Sequence, residues 1–433
     1  MRAARKDLRP SVSSAGGLRY RWLIYGLMAL TYFFVYFHRM SSGVVKEDLS
    51  AAFGLSATGF SQLNSMYFYS YMFMQIPSGI LADTLGARKT VTCGCLAMSA
   101  GAILFGLSGS TAMLMGSRLL VGLGASVIFI AILKVQTQWF RESEFGIMSG
   151  ITGFVGNLGG AMAQGPLALL VGLLTWRMSF LCIGGFTLVL SALSWFTIRN
   201  SPQDLGLPPI NPQPAFRSRP PVLQALGRVL VNPRSWPSFF INCFFSGCSM
   251  AFTTWGVSYL TDCYGISVLE AGNITFWYPI GMALGSITIG FVSDRLRRRK
   301  LPLLVSAVGS CICWGLLAFT RPGLFEVRAL LPIMGFFGAF IVVSLSVAKE
   351  VNDPRFSGMS TSLANMGLFL GGAVIPVFFG NLIDHYAPAL SGFALYQIPL
   401  RLCFVIVILG FVSCAVTRET RCRNLFAEER QAA

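Results

Sequence analysis

Apolar residues fill this chain in long blocks, broken at intervals by short clusters of charge, glycine and proline. Blocks of roughly 20 residues match the hydrocarbon thickness of a bilayer at helical rise. The pattern therefore predicts twelve membrane-spanning helices. Six lie near residues 22–45, 60–82, 90–108, 112–137, 146–171 and 177–198, and six near 236–260, 271–292, 301–319, 327–350, 357–383 and 394–416. The longest interruption, residues 201–237, holds nine of the twenty prolines. Proline removes a helix hydrogen bond and clashes with the preceding turn, so this stretch reads as a linker. Within it, Val222 to Val231 is amphipathic and suits a helix lying along the membrane surface. The expected organisation is a tail (1–21), a six-helix bundle (22–200), a linker (201–235), a second six-helix bundle (236–417) and a tail (418–433). The fold class is an all-α membrane protein.

Composition agrees with that pattern and removes its rivals. Of 433 residues, 54% are hydrophobic and only 12% charged, with a mean hydropathy of +0.65. Soluble domains carry about twice that share of charge, so a soluble enzyme or disulfide scaffold is excluded. The net charge of +16 is explained by topology. With the N-terminus inside, 24 of the 33 basic residues fall in cytoplasmic tails and loops, and only Lys46, Arg177, Arg321, Arg328 and Arg401 fall outside. That division obeys the positive-inside rule, places both termini in the cytoplasm and leaves no basic domain for nucleic acid. The first apolar run is too long for a cleaved signal and lacks a small-x-small site, so it is retained as a span. The eleven cysteines are mostly inside spans, without metal-ligand partners, and read as small packing residues.

The two halves repeat at a fixed offset. Gly79, Asp83, Arg88 and Lys89 return 211 positions later as Gly290, Asp294, Arg299 and Lys300. Tyr67 returns as Tyr278, Phe145 as Phe356, Met148 as Met359, Gly156 as Gly367 and Gly160 as Gly371. An even number of spans per repeat preserves orientation, so the halves are expected around an axis normal to the membrane, with a cavity between them near the midplane.

Gly79-Ile-Leu-Ala-Asp83-Thr-Leu-Gly86-Ala-Arg88-Lys89 resembles the loop signature between helices two and three of the major facilitator superfamily. Gly290-Phe-Val-Ser-Asp294-Arg295-Leu-Arg-Arg-Arg-Lys300 is its second copy, and Arg118-Leu-Leu-Val-Gly122-Leu-Gly124 resembles the family's helix-four motif. Thr84 and Ala87 stand where the family usually has basic residues. The resemblance implies a secondary transporter working by alternating access, with these loops closing the cytoplasmic side. Gly79 and Gly290 are expected to allow close helix approach. Asp83 and Asp294 are expected to accept from a neighbouring helix N-terminus and to pair with Arg88 or Arg299, and Arg295 is a further gating candidate.

Charges inside spans cost roughly 2.5–3.5 kcal/mol each on insertion scales and so mark candidate function. Arg39 in span one and Arg118 in span four lie at similar depth and suit an anion, with His38 and Tyr36 beside the first. Tyr67 and Tyr71 share a face of span two and are candidate cavity-lining residues. Lys134 and Lys349 sit toward the cytoplasmic ends of spans four and ten, where they could draw an anion inward. Glu350 is a candidate neutraliser of Lys349. The glycine runs of spans five and eleven fit helix packing, since no strand precedes them as a phosphate loop requires.

All 17 acidic residues sit in tails, loops or span ends, so no carboxylate stands mid-span as a proton carrier. No Walker loop, nucleophile–base pair or cofactor motif is present. The function expected is transport of a small anionic or zwitterionic organic solute, with a possible coupling proton, by a monomer in the bacterial inner membrane. Within the superfamily, the Arg39 region is similar to the organic-anion and sugar-phosphate permease branches, but span seven lacks their basic residue between Phe239 and Leu260. The alternatives are efflux of hydrophobic compounds, and a transporter-derived sensor or biogenesis factor without flux.

Overall fold

The computed structural model describes residues 14–141, 144–210 and 222–426; a few side chains within those ranges, including those of Gly79 and Asp83, lie outside the description. The chain opens with α1 (Ser14–Met40), a short α2 (Lys46–Phe53) and α3 (Ala57–Phe73), which runs on into α4 (Gln75–Gly106). Next, α5 (Thr111–Ser126) with α6 (Ile128–Trp139) forms one rod and α7 (Phe145–Met162) with α8 (Gly165–Leu173) another, before α9 (Trp176–Thr197). The short α10 (Val222–Val231) precedes the second half, which repeats the order: α11 (Trp236–Tyr264), α12 (Val268–Thr275) with α13 (Trp277–Leu296), and α14 (Lys300–Phe319). It ends with α15 (Leu324–Phe337) joined to α16 (Ile341–Glu350), α17 (Ser357–Tyr386) and α18 (Gly392–Val416). Among the described residues, nine helical stretches are long and apolar enough to cross a membrane. The long helices α1 and α11, and α3 with the start of α4, complete the expected order of twelve.

Four of the helices that start at one end of the molecule are capped by a serine or threonine side chain. Ser56 accepts from the Gly59 N–H at 3.1 Å, Ser110 from Met113 at 3.3 Å, Thr175 from Met178 at 3.3 Å and Ser267 from Glu270 at 3.2 Å. Each satisfies one of the orphan donors of a first helical turn. Ser56 and Ser267 are themselves 211 positions apart. We call this the far end, and the opposite one, which carries Arg295–Lys300, the basic end.

At the basic end α4 turns sharply at Gly86, whose φ is 79°. The position 211 residues on, Arg297, also has positive φ, but at φ 48° and ψ 42° it lies in the left-handed helical region, whereas Gly86 with ψ 163° is extended, so both halves break the helix here by different backbone turns. Within each half, glycines set the helix spacing. A side chain at Gly159 would collide with the Phe33 carbonyl of α1, and one at Gly367 or Gly371 with the Phe239 or Cys243 carbonyl of α11. Lipid supplies no hydrophobic drive between helices, so such close backbone contact is what holds them.

The halves meet along α3 and α17 from the far end inward. The Asp384 carboxylate of α17 accepts from the N–H groups of Ala57 and Thr58 at 2.8 and 2.7 Å, and Thr58 donates to Asn381 at 2.8 Å. Deeper, Trp255 donates to Ser61 at 3.2 Å and Ser65 to the Ala373 carbonyl at 2.5 Å. Asn365 donates to Gln75 at 2.8 Å, and a parallel contact joins Thr275 to Gln164 at 3.2 Å. Lys46, at the far end of the first half, lies 4.9 Å over the Trp255 ring of the second. The far end is thus closed by one half capping a helix of the other.

Charge-assisted hydrogen bonds are worth about 1.5–3 kcal/mol each, so Asp384→Ala is expected to move the closed–open balance by at least tenfold. The readout is the rate at which a thiol reagent modifies Ser65→Cys, buried in this structure, in purified protein whose native cysteines have been replaced. An unchanged rate would mean that the carboxylate does not hold this end shut.

Candidate functional site

Arg39 is the next-to-last residue of α1, and the helix end is what presents it. The last carbonyls of a helix have no intrahelical donor. Here Arg118 of α5 supplies them, donating Nη1 to the His38 carbonyl at 2.7 Å and Nη2 to the Arg39 carbonyl at 3.4 Å. A cation at a helix C-terminus also complements the dipole. Arg118 is buried, with its guanidinium committed to α1 and 5.4 Å from the Tyr67 ring. The two arginines therefore do lie at one level, but with different work: Arg118 fixes the end of α1, and Arg39 points into the junction between the halves.

There Arg39 is enclosed by aromatic rings from three helices. Its guanidinium carbon is 4.4 Å from the Tyr36 ring of α1, 5.8 and 5.4 Å from Tyr67 and Tyr71 of α3, and 5.3 Å from Phe369 of α17. Its Nε donates to the Tyr67 hydroxyl at 3.4 Å. Tyr71 and Phe369 stack across the two halves at 3.8 Å between centroids and 16° between planes. A desolvated cation–π contact contributes up to about 2 kcal/mol, so several rings offset an insertion cost of a few kcal/mol. What the rings do not offer is a set of in-plane acceptors for a planar guanidinium with five N–H donors. The cage stabilises the charge and leaves it suited to an anion.

His38 does not belong to this cage. It is buried, with Nε2 3.2 Å from Thr187 Oγ1 of α9 and its ring against Phe34 and Phe37. Adjacent residues on a helix are about 100° apart, which is why the expected grouping of His38 with Arg39 does not form. Lys134, half-buried on α6, and Lys349, exposed on α16, lie further toward the basic end. Phe369 was not foreseen. One phenylalanine among 36 carries no local signal, and only the packing of α17 on α3 brings it to Arg39.

At the basic end the second hairpin differs from expectation in three ways. A side chain at Gly290 would meet only Val342, at an ordinary 3.6 Å, so no close approach requires that glycine. Glu350 serves Arg299, not Lys349: Arg299 donates to it at 2.9 Å and to Asp294 at 2.6 Å. The α14 N-terminus is capped by Glu419, which accepts from Arg299 and Lys300 N–H at 2.8 and 3.1 Å, and not by Asp294. Thr420 also bonds Glu350, and Asn424 donates to the Lys349 and Asn352 carbonyls at 3.1 and 2.9 Å. The chain after α18 is thus a strap across this hairpin. Arg295 is exposed.

In the first hairpin, Arg88 donates Nε to the Trp195 carbonyl at 2.7 Å, and Asn200 accepts from the Arg88 N–H at 3.0 Å. The expected roles of Gly79 and Asp83 fall on side chains outside the described residues.

Comparison with known proteins bears on the whole chain. The family model described as the Major Facilitator Superfamily matches residues 28–264 and 239–431. The probable sulfoacetate transporter SauU of Cupriavidus necator is 26% identical over 385 residues, covering 85% of this chain and 88% of its own length. The D-galactonate transporter of Escherichia coli is 24% identical over 412 residues, covering 89% and 94%. A solved bacterial homologue of the human lysosomal transporter Spinster, in its inward-facing and unoccupied conformation, superposes with a TM-score of 0.76 over 92% of this chain and 97% of that one. At 17% identity it shows a shared fold.

Burial opposes ionisation of Glu419, but N–H donors from Arg299, Arg421 and Lys300 outweigh it and hold the carboxyl below the usual glutamate range. A lowered folded-state value stabilises above the unfolded value and is lost as pH falls through the folded one. Glu419→Ala is therefore expected to cost about 1 kcal/mol at pH 7. The deficit should shrink as acid titrates the wild-type carboxyl. Thermal unfolding of both proteins from pH 6 to pH 2 reads this directly, because the deficit should hold steady above the usual glutamate range and shrink only below it; a deficit that does not shrink there would remove Glu419 from the account.

Proposed function

This chain belongs to the major facilitator superfamily and is a membrane transport protein, and on that premise we propose that it carries a small organic anion bound at Arg39. The single observation behind this reading is the cage: one guanidinium at the meeting point of the two halves, compensated by aromatic faces and by no described carboxylate. A planar carboxylate, or two oxygens of a tetrahedral sulfonate, satisfies its N–H fork bidentately, which an ammonium on the same stem cannot imitate. Sulfoacetate and D-galactonate, the compounds in the names of the two relatives, are both of this class. Tyr36, Tyr67 and Tyr71 would orient the anion, and Arg118 would act indirectly by holding the end of α1.

In this reading the two bundles, 22–200 and 236–417, rock about the site. In the same reading the basic end, both tails and the 201–235 linker face the cytoplasm, a placement supported by the distribution of lysine and arginine. The closure of the far end by Asp384 then corresponds to a carrier shut toward the outside. Asp294, Arg299 and Glu350 would exchange partners when the cytoplasmic end closes, and Lys134 and Lys349 would draw the anion along the inner vestibule.

The test is uptake and binding of labelled sulfoacetate and D-galactonate by the purified chain in proteoliposomes, with wild type beside Arg39→Lys and Arg118→Lys. Arg39→Lys is expected to weaken binding at least tenfold although the charge is kept. Arg118→Lys is expected to lower thermal stability more than affinity. Wild-type affinity in a well-folded Arg39→Lys protein would overturn the site. Binding without flux would make the chain a sensor, and neither binding nor flux of either anion would overturn the proposed class of cargo.

A further inference from the structure

Away from the Arg39 cage, α4 and α5 enclose a groove of 290 Å³, lined among others by Leu81, Thr90, Cys93, Ala97, Leu120 and Leu123 and almost wholly apolar. Its floor is a helix crossing: a Cβ on Gly94 would lie 2.8 Å from the Gly124 carbonyl. Cys93 is exposed, as are Leu85 and Leu119 nearby in sequence, so the groove opens on the outer surface of the bundle. From Thr90 to Ala97 it runs about 10 Å along the helix.

A charge stands just beyond its basic end. Lys89 is exposed and lies one turn before Cys93, on the same face of α4. Its neighbour Arg88 turns away and lies 4.3 Å over the Trp195 ring. An apolar trough in line with one lysine, at the end where the chain's basic residues gather, has the layout of a single-chain amphiphile with an anionic head.

We propose that this groove is a binding site for one anionic phospholipid, with an acyl chain along the α4–α5 crossing and the phosphodiester at Lys89. The site is independent of the Arg39 cage. It adjoins the Gly86 turn, so an occupied groove would brace the hairpin that joins the two parts of α4.

The probe is palmitoyl-oleoyl phosphatidylglycerol, compared with the phosphatidylcholine of the same chains, offered to the full-length protein in mild detergent and counted by native mass spectrometry. Wild type is expected to retain one phosphatidylglycerol in preference to phosphatidylcholine. Lys89→Gln is expected to reduce that preference about fivefold, the contribution of one lysine near an anionic headgroup. Ala97→Phe is expected to displace the lipid. Cys93→Phe, at an exposed position, fills the same groove if the first variant folds poorly. The proposal is overturned if no phosphatidylglycerol is retained, if both lipids are retained alike, or if the groove variants keep the same number of bound lipids as wild type.

Discussion

Hydrocarbon satisfies no polar group, so every donor, acceptor and charge inside a membrane protein needs a partner supplied by the protein itself. Much of this architecture follows from that constraint. Arg118 is spent on the open carbonyls at the end of α1, and in meeting that need it also fixes where Arg39 points. Arg39, without a described carboxylate to answer it, is wrapped in rings instead. A guanidinium so held is stable enough to remain buried, and the proposed anion would supply the in-plane acceptors that the rings do not.

The same constraint distinguishes the two ends of the molecule. At the far end, the cap on α3 comes from the other half, through Asp384. A helix terminus satisfied from across an interface makes that interface part of the fold, yet one that two hydrogen bonds can release. At the basic end, the caps come from within the same half: Asn200 on the first hairpin and Glu419 on the second. Each hairpin is thus tied to its own half. That difference between the ends is what the proposed alternating access would use, with units that separate at one end and latch at the other.

The internal repeat is conserved as geometry more than as chemistry. Gly86 and Arg297 both break the helix with a positive φ, although the second position has a side chain and adopts a different turn. Arg88 rests on a tryptophan and a carbonyl, whereas Arg299 is held by Asp294 and Glu350. Among the described residues, the first hairpin is therefore bound by neutral partners and the second by charged ones. The departures at Thr84 and Ala87 point the same way.

The sequence by itself determined the helices, their order and their relation across 211 positions. These features rest on short-range periodicity and on apolar length, both of which are written locally. It also singled out Arg39, because a charge inside an apolar run is costly wherever the run packs. Only tertiary structure decided what surrounds that charge. Phe369 stands 330 positions away and Arg118 reaches α1 from another helix, while His38, next in sequence, turns toward Thr187 of α9. The caps by Asp384 and Glu419 were equally hidden, since a carboxylate at a span end looks the same in sequence whether it meets water or a distant helix terminus. Periodicity specifies which face of a helix is apolar, but the partner of each polar group is chosen by how the helices cross.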